Sequence, residues 1–146
     1  MRIYLDVCCL QRPFDDQTQP RIRVESEAVL AVLAEVEAGS ATLLTSDALE
    51  YEIQRIPDEH RRREALAMLT LAKERLTLTD ASEALALSLE QAGVTAMDAL
   101  HTALASEASA DFFATTDDRL LRKLRSTSGL RCQPVSLLSL VAEVTK

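Results

Sequence analysis

Close to its N-terminus the chain reads Ile3-Tyr4-Leu5-Asp6, a short apolar run that ends in a carboxylate. A run of this length, bounded in this way, predicts a buried strand. The pattern recurs near the C-terminus, where Phe112-Phe113-Ala114-Thr115-Thr116 leads into Asp117-Asp118. Ligands of open α/β sheets bind beyond the carboxyl ends of the strands. Two strands that are each followed by an aspartate at this end therefore predict a shared acidic pocket. A pocket of that kind needs a cation.

Size, composition and charge limit the class of protein. The 146 residues suffice for a single domain over residues 1–146, with an ordinary globular composition. No apolar stretch approaches the roughly 20 residues that cross a bilayer, and no secretory signal is recognisable, so we expect a cytoplasmic protein without a membrane segment. The net charge of −7 argues against nucleic-acid binding by bulk electrostatics. It does not exclude a nuclease, because cations bound in an acidic pocket reverse the local charge.

Apolar spacing and capping residues predict strands that alternate with helices. After the first strand we expect a loop over residues 12–20 and a helix from about Val24 to Gly39. The later predicted elements are a strand at 42–45, a helix capped by Ser46 and ended by Pro57, a helix from 58, a strand at 76–79, helices at 80–92 and 95–108, a strand from 112, a helix from Asp117, a strand at 131–135 and a helix from Ser136. Such alternation predicts an α/β fold, with a parallel sheet covered by helices on both faces.

Four strand ends or helix starts offer carboxylates. They are Asp6, Glu50 or Glu52, Asp98, and Asp117 or Asp118. Asp98 follows Thr95 by three residues and also fits a capping box, and Asp117 also fits the N-cap of the next helix. Asp6 is harder to explain structurally, because an uncompensated carboxylate beside a buried strand is costly. Four such groups at one edge favour a metal site.

Helix geometry separates Glu52 from Glu50. At about 100° per residue, Leu49, Ile53 and Ile56 lie on one face, which we expect to pack on the sheet. Glu52 falls roughly 65° from the middle of that face, and Glu50 falls roughly 95° away on the other side. Glu52 is therefore the better candidate at the border of the buried surface.

His101 and the cysteines receive structural interpretations. His101 shares a helix face with apolar residues, so we expect a core or core-edge side chain, which could hydrogen-bond Asp98 one turn earlier. The three cysteines include no C-x-x-C pair, and we expect small, buried apolar side chains. Neither residue type is assigned to catalysis.

In order and spacing, the acidic residues resemble the four motifs of PIN domains. The matching stretches are Ile3-Tyr4-Leu5-Asp6, Ser46 followed by Glu52, Asp98-Ala99-Leu100-His101, and Thr115-Thr116-Asp117. The stretch from Asp6 to Asp16 is similar to a bacterial subgroup of the family, and the similarity extends to about Pro134. One departure is Val7, which stands where the family commonly has Thr or Ser.

The resemblance implies a three-layer α/β/α fold around a central parallel sheet. It also implies a metal-dependent endoribonuclease that hydrolyses RNA, as in the VapC toxins of type II toxin–antitoxin pairs. By position, the catalytic and metal-binding residues would be Asp6, Glu52, Asp98 and Asp117, with Thr115 nearby and Mg²⁺ or Mn²⁺ as the cofactor. An antitoxin partner and a homodimer are further expectations. The alternative is a PIN-like module that binds RNA or a protein with idle carboxylates.

Overall fold

The computed structural model describes residues 1–146 as a five-stranded sheet between layers of helices. The strands are β1 (Arg2–Leu5), β2 (Thr42–Ser46), β3 (Glu74–Leu76), β4 (Phe112–Ala114) and β5 (Gln133–Val135). The helices are α1 (Val7–Gln11), α2 (Pro20–Glu37), α3 (Asp47–Gln54), α4 (Glu59–Leu69), α5 (Asp80–Gln91), α6 (Ala96–Glu107), α7 (Asp118–Arg125) and α8 (Leu137–Val144), with a 3-10 turn at Arg12–Phe14. The strand order is β3-β2-β1-β4-β5, and all neighbouring strands are parallel. The predicted α/β/α architecture is confirmed.

The central position of β1 sets where Asp6 leaves the sheet. Ile3 lies opposite Leu43 of β2 on one side and opposite Phe112 of β4 on the other. The apolar residues of β1 are completely buried, and burying an aliphatic side chain of this size contributes about 1.5–3 kcal/mol. Because β1 is paired along both edges, Asp6 emerges in the middle of the carboxyl edge of the sheet.

Helices pack on one another around this sheet. α2 packs against α8, and α5 packs against α6, which also contacts α3. Asp58 begins α4 by accepting a 2.9 Å hydrogen bond from the Arg61 amide, as the sequence predicts. None of the helices has both the length and the apolar character needed to span a bilayer.

The segment after β1 is more helical than the apolar spacing predicts. Residues 7–11 form α1, and α2 begins at Pro20 instead of near Val24. Proline suits the first position of a helix, because the N–H that it lacks would have no partner there. The first turn of α2 is mostly exposed, so no apolar periodicity reveals it.

The third strand lies earlier than predicted. It spans Glu74–Leu76 in place of residues 76–79. Its charged residues form ion pairs with other elements: Glu74 with Arg2 of β1, and Arg75 with Glu50 of α3. Thr79 begins α5 through a reciprocal capping box with Ser82. Ion pairs that join distant segments leave no local signal for a strand.

Candidate metal centre

Asp6 is the buried carboxylate at the centre of the sheet edge. Its Oδ1 accepts a 2.9 Å hydrogen bond from the Val7 amide, and its Oδ2 accepts a 3.0 Å bond from the Thr115 hydroxyl. Burial above all, with the charges of Cys8, Asp98 and Glu52, raises the pKa of Asp6 well above its ordinary value, while the Thr115 bond acts in the opposite direction. Because the residue is only 6% exposed, Asp6 needs a compensating cation when it is ionised.

Cys8 lies against Asp6 and was not predicted as a neighbour of the site. Its Sγ is 3.4 Å from Asp6 Oδ2 and 3.5 Å from Thr115 Oγ1, and it accepts a bond from the Thr116 amide. Hydrogen bonds, the larger effect from Cys9 and the smaller from Thr116, lower the pKa of the Cys8 thiol to about 5, although burial acts in the opposite direction. The other two cysteines are buried and unpaired, which is consistent with the expectation for them.

Glu52 and Glu50 point to different surroundings. Glu52 Oε1 lies 2.6 Å from His101 Nε2, and one donor atom from each of Asp6, Glu52 and His101 lies within 4.8 Å of the other two. Glu50 instead accepts bonds of 3.0–3.2 Å from the Arg75 guanidinium, on the β3 side of α3. The structure therefore brings Glu52 to Asp6 and holds Glu50 in an ion pair elsewhere.

His101 is completely buried between Glu52 and Tyr4. Its Nδ1 is 2.7 Å from Tyr4 Oη, which is in turn 2.7 Å from Ser46 Oγ. Burial raises the pKa of Tyr4 well above its ordinary value, so the phenol keeps its proton. The bond from His101 to Asp98 that the sequence allowed is not formed, because both ring nitrogens have other partners. One sequence signal was available for Tyr4, since alternation along a strand puts it on the same side as Asp6.

Asp98 is half-buried in the first turn of α6. Its Oδ2 accepts a 2.9 Å bond from the Thr95 hydroxyl. Thr95 makes no side-chain capping bond to α6, so the capping-box interpretation of this pair does not hold. Burial, together with the charges of Asp117 and Glu52, raises the pKa of Asp98. Asp98 thus belongs electrostatically to the same acidic group as Asp6.

Asp117 and Asp118 have separate partners. Asp117 Oδ1 accepts bonds from the amides of Arg119 at 2.9 Å and Leu120 at 3.2 Å, which makes Asp117 the N-cap of α7. It also lines a cavity of about 200 Å³ together with Asp98. Asp118 forms a two-bond ion pair with Arg21, at 2.7 and 2.9 Å. Of the two aspartates, Asp117 faces the acidic group, with Oδ2 free of capping bonds.

The donor set fits a hard divalent cation. Asp6 and Glu52 provide carboxylate oxygens, the ligands that Mg²⁺ and Mn²⁺ prefer, whereas Asp98 lies outside the group of ligand atoms that are within 4.8 Å of one another. Neither Asp6 nor Asp98 forms an ion pair with a lysine or arginine, and the negative charges around both raise the carboxyl pKa. A cation would remove that repulsion. Two basic side chains, Arg119 and Lys123, line the cavity beside Asp98.

The strand order and helix layers define the protein as a PIN-like α/β fold. A similar solved structure is the crystal structure of VapBC2 from Rickettsia felis bound to a DNA fragment from their promoter. The likeness has a TM-score of 0.56 at 14% identity and covers 93% of this chain and 98% of that chain. No family model and no curated protein matches the sequence. At this identity the likeness establishes the fold alone.

Proposed function

We propose that the protein is a Mg²⁺- or Mn²⁺-dependent endoribonuclease, and that it is the toxin of a type II toxin–antitoxin pair. The observation that carries the proposal is Asp6, a buried carboxylate with Glu52 and Asp98 close by and no basic side chain to neutralise it. A carboxylate group of this kind is costly to the fold and fits a centre whose charge is completed by a cation.

The chemistry divides among the residues of the site. Asp6, Glu52 and Asp98 would hold the cation, with the uncapped oxygen of Asp117 at the rim of the cavity. When bound, a divalent cation supplies Lewis-acid activation of water and neutralises charge on the phosphate. Thr115 orients Asp6 through its hydroxyl. The protein's own residues therefore fix the positions of the ligands.

Basic side chains support a polyanionic substrate in spite of the acidic net charge. Arg119 and Lys123 stand on exposed turns of α7 and share the cavity with Asp98 and Asp117. Side chains of this type bind phosphate oxygens and give binding that weakens with salt. We propose that they hold the RNA backbone on either side of the bond that is cut.

The proposed regulation follows from the same charges. An antitoxin would inhibit the enzyme by placing an arginine or lysine among the carboxylates, where charge-assisted hydrogen bonds are strong. The similar Rickettsia structure is a VapBC2 complex, which supports a protein partner for this fold. We further propose a homodimer, since leucines such as Leu30, Leu87 and Leu138 are half exposed or more on helix surfaces. A cytoplasmic location is proposed together with the toxin function.

The proposal is tested by RNA cleavage in the presence and absence of Mn²⁺. We expect the purified protein to cut a mixed RNA pool only with metal, and Asp6→Asn to lose at least about 100-fold in rate. Glu50→Gln is the matched control, because Glu50 is also a carboxylate of this sheet edge but binds Arg75. Equal metal-dependent cleavage by the wild type and Asp6→Asn would overturn the proposal.

The alternative function is a PIN-like module that binds RNA or a protein without cutting. One observation favours it: Asp117 Oδ1 caps α7 and is therefore not free to bind a metal. Calorimetric titration with Mn²⁺ separates the two functions. A nuclease binds Mn²⁺ and loses that binding in Asp98→Asn, whereas an idle module shows no binding at millimolar Mn²⁺ and no cleavage.

A further inference from the structure

Four buried or half-buried polar side chains are joined by hydrogen bonds in one continuous line through the protein interior. Glu52 Oε1 contacts His101 Nε2 at 2.6 Å, His101 Nδ1 contacts Tyr4 Oη at 2.7 Å, and Tyr4 Oη contacts Ser46 Oγ at 2.7 Å. The groups come from α3, α6, β1 and the end of β2. His101, Tyr4 and Ser46 have no exposed surface, so the line reaches solvent only at Glu52.

The donors and acceptors of this line fit one proton arrangement. The Leu49 amide donates to Ser46 Oγ at 3.0 Å, which leaves the serine hydroxyl to donate to Tyr4 Oη. The phenol then donates to His101 Nδ1. A carboxylate only accepts, so His101 Nε2 carries the imidazole proton and donates it to Glu52. Every donor has an acceptor, and the arrangement selects the Nε2–H tautomer.

Glu52 needs such a partner to be held in place. It lies in the last turn of α3 with 36% of its side chain exposed, and a glutamate on a helix surface loses considerable rotamer freedom when it is ordered. His101 is immobile by comparison, because its ring packs 5.7 Å from the Tyr4 ring in the core. A short bond from a fixed donor therefore fixes one oxygen of Glu52 near Asp6.

We propose that His101, held in one tautomer by Tyr4 and Ser46, is a positioning residue that orients Glu52 towards the metal centre. This role rests on the proposed metal-dependent function. It differs from direct ligation, since Nε2 already carries the proton donated to Glu52 and has no lone pair for a metal. His101 would then act through Glu52, and it is itself held in place by α6, β1 and the end of β2.

Two substitutions at position 101 separate hydrogen bonding from packing. His101→Leu fills the space without a donor, and His101→Gln keeps an N–H group near the position of Nε2. We expect His101→Leu to weaken Mn²⁺ binding by about 10–100-fold, the usual effect of losing a group that orients a metal ligand. His101→Gln should stay within a few-fold of the wild type, and His60→Leu, at an exposed position, should equal it.

Two spectroscopic readouts test the mechanism without relying on activity. In the metal-free protein, ¹⁵N chemical shifts of His101 should show the Nε2–H tautomer, and Tyr4→Phe should shift the Nδ1 resonance. In the Mn²⁺-loaded protein, pulsed electron paramagnetic resonance should show no coupling to a directly bound imidazole nitrogen. Tyr4→Phe keeps the ring packing and should also weaken Mn²⁺ binding, so it serves if His101→Leu does not fold.

The outcomes distinguish this role from the proposed function. If the wild type binds Mn²⁺ and a folded His101→Leu or Tyr4→Phe binds it equally well, the positioning role fails and the metal centre stands. An Nδ1–H tautomer or a directly bound imidazole nitrogen overturns the positioning role in the same way. If the wild type binds no Mn²⁺, the proposed function fails and the positioning role fails with it.

Discussion

Thr115 Oγ1 donates a 3.0 Å hydrogen bond to Asp6 Oδ2 and thereby joins two neighbouring strand exits. Both residues directly follow the register pair formed by Leu5 and Ala114. The same hydroxyl accepts a 3.1 Å bond from the Asp117 amide, so one side chain links Asp6 to the start of α7. The hydroxyl beside Asp6 is thus supplied by the residue after β4, while residue 7 is a valine.

Thr115→Val should weaken metal binding without disturbing the fold. The valine has nearly the same shape but removes a bond that lowers the pKa of Asp6, so the Asp6 carboxylate competes less well for a cation near neutral pH. We expect a drop of about 10-fold in Mn²⁺ affinity, measured by calorimetry. Thr45→Val is the matched control, because the Thr45 hydroxyl points to Glu50. An equal loss in both variants would contradict the role given to Thr115.

Asp6→Asn should stabilise the metal-free protein at neutral pH. The folded state raises the pKa of Asp6 above its ordinary value of 3.8, so folded protein binds the proton more tightly than the unfolded chain. The wild type therefore loses stability as pH rises from about 3.8 to the raised pKa, by about 1.4 kcal/mol for each pH unit in that interval. We expect the variant to melt several degrees higher at pH 7.5, with the difference vanishing at low pH. An unchanged difference across pH would contradict this account.

Substitutions of Asp117 separate its capping bond from its charge. Asp117→Asn keeps a capping oxygen for the Arg119 and Leu120 amides but removes the negative charge. We expect wild-type thermal stability and weaker Mn²⁺ binding for this variant. Asp117→Ala should in addition lose about 1 kcal/mol of stability. Asp118→Asn is the control, since the ion pair of Asp118 with Arg21 is exposed and contributes little. Full Mn²⁺ affinity in Asp117→Asn would restrict Asp117 to the cap.

Arg119→Gln and Lys123→Gln should weaken RNA binding and leave Mn²⁺ binding unchanged. Both side chains line the cavity beside Asp98, where they would contact RNA phosphates. We expect the slope of log affinity against log salt to fall by about one for each phosphate contact that is lost. Filter binding with catalytically inactive Asp6→Asn protein measures this effect. Arg63→Gln, at an exposed position on α4, should have no effect on the slope.

The sequence predicts those parts of the molecule that depend on local patterns. The apolar run of β1, the cap residue Ser46 and the helix start near Asp58 predicted elements that the structure contains. The alternation of strands and helices predicted the parallel sheet, and the resemblance to PIN domains implied the three-layer fold; both are confirmed. Apolar runs, helical apolar spacing and cap residues carry this information because burial and capping act on each element separately.

Features that depend on distant partners were not predictable from one chain. The extent of β3 depends on ion pairs of Glu74 and Arg75 with other elements, and the partner of His101 is set by the packing of α6 against α3. Helix geometry did favour Glu52 over Glu50, and the structure places Glu52 beside Asp6. Mn²⁺ titration of the wild type and of the site variants tests which of these residues bind a cation.

The most direct test measures Mn²⁺ binding and RNA cleavage on the same protein over one series of Mn²⁺ concentrations. Calorimetry gives the binding midpoint, and an end-labelled RNA gives the cleavage midpoint. The proposed function predicts that the two midpoints coincide in the wild type and that both signals disappear in Asp98→Asn. Binding without cleavage at any Mn²⁺ concentration, or cleavage that persists in the presence of a chelator, would contradict it.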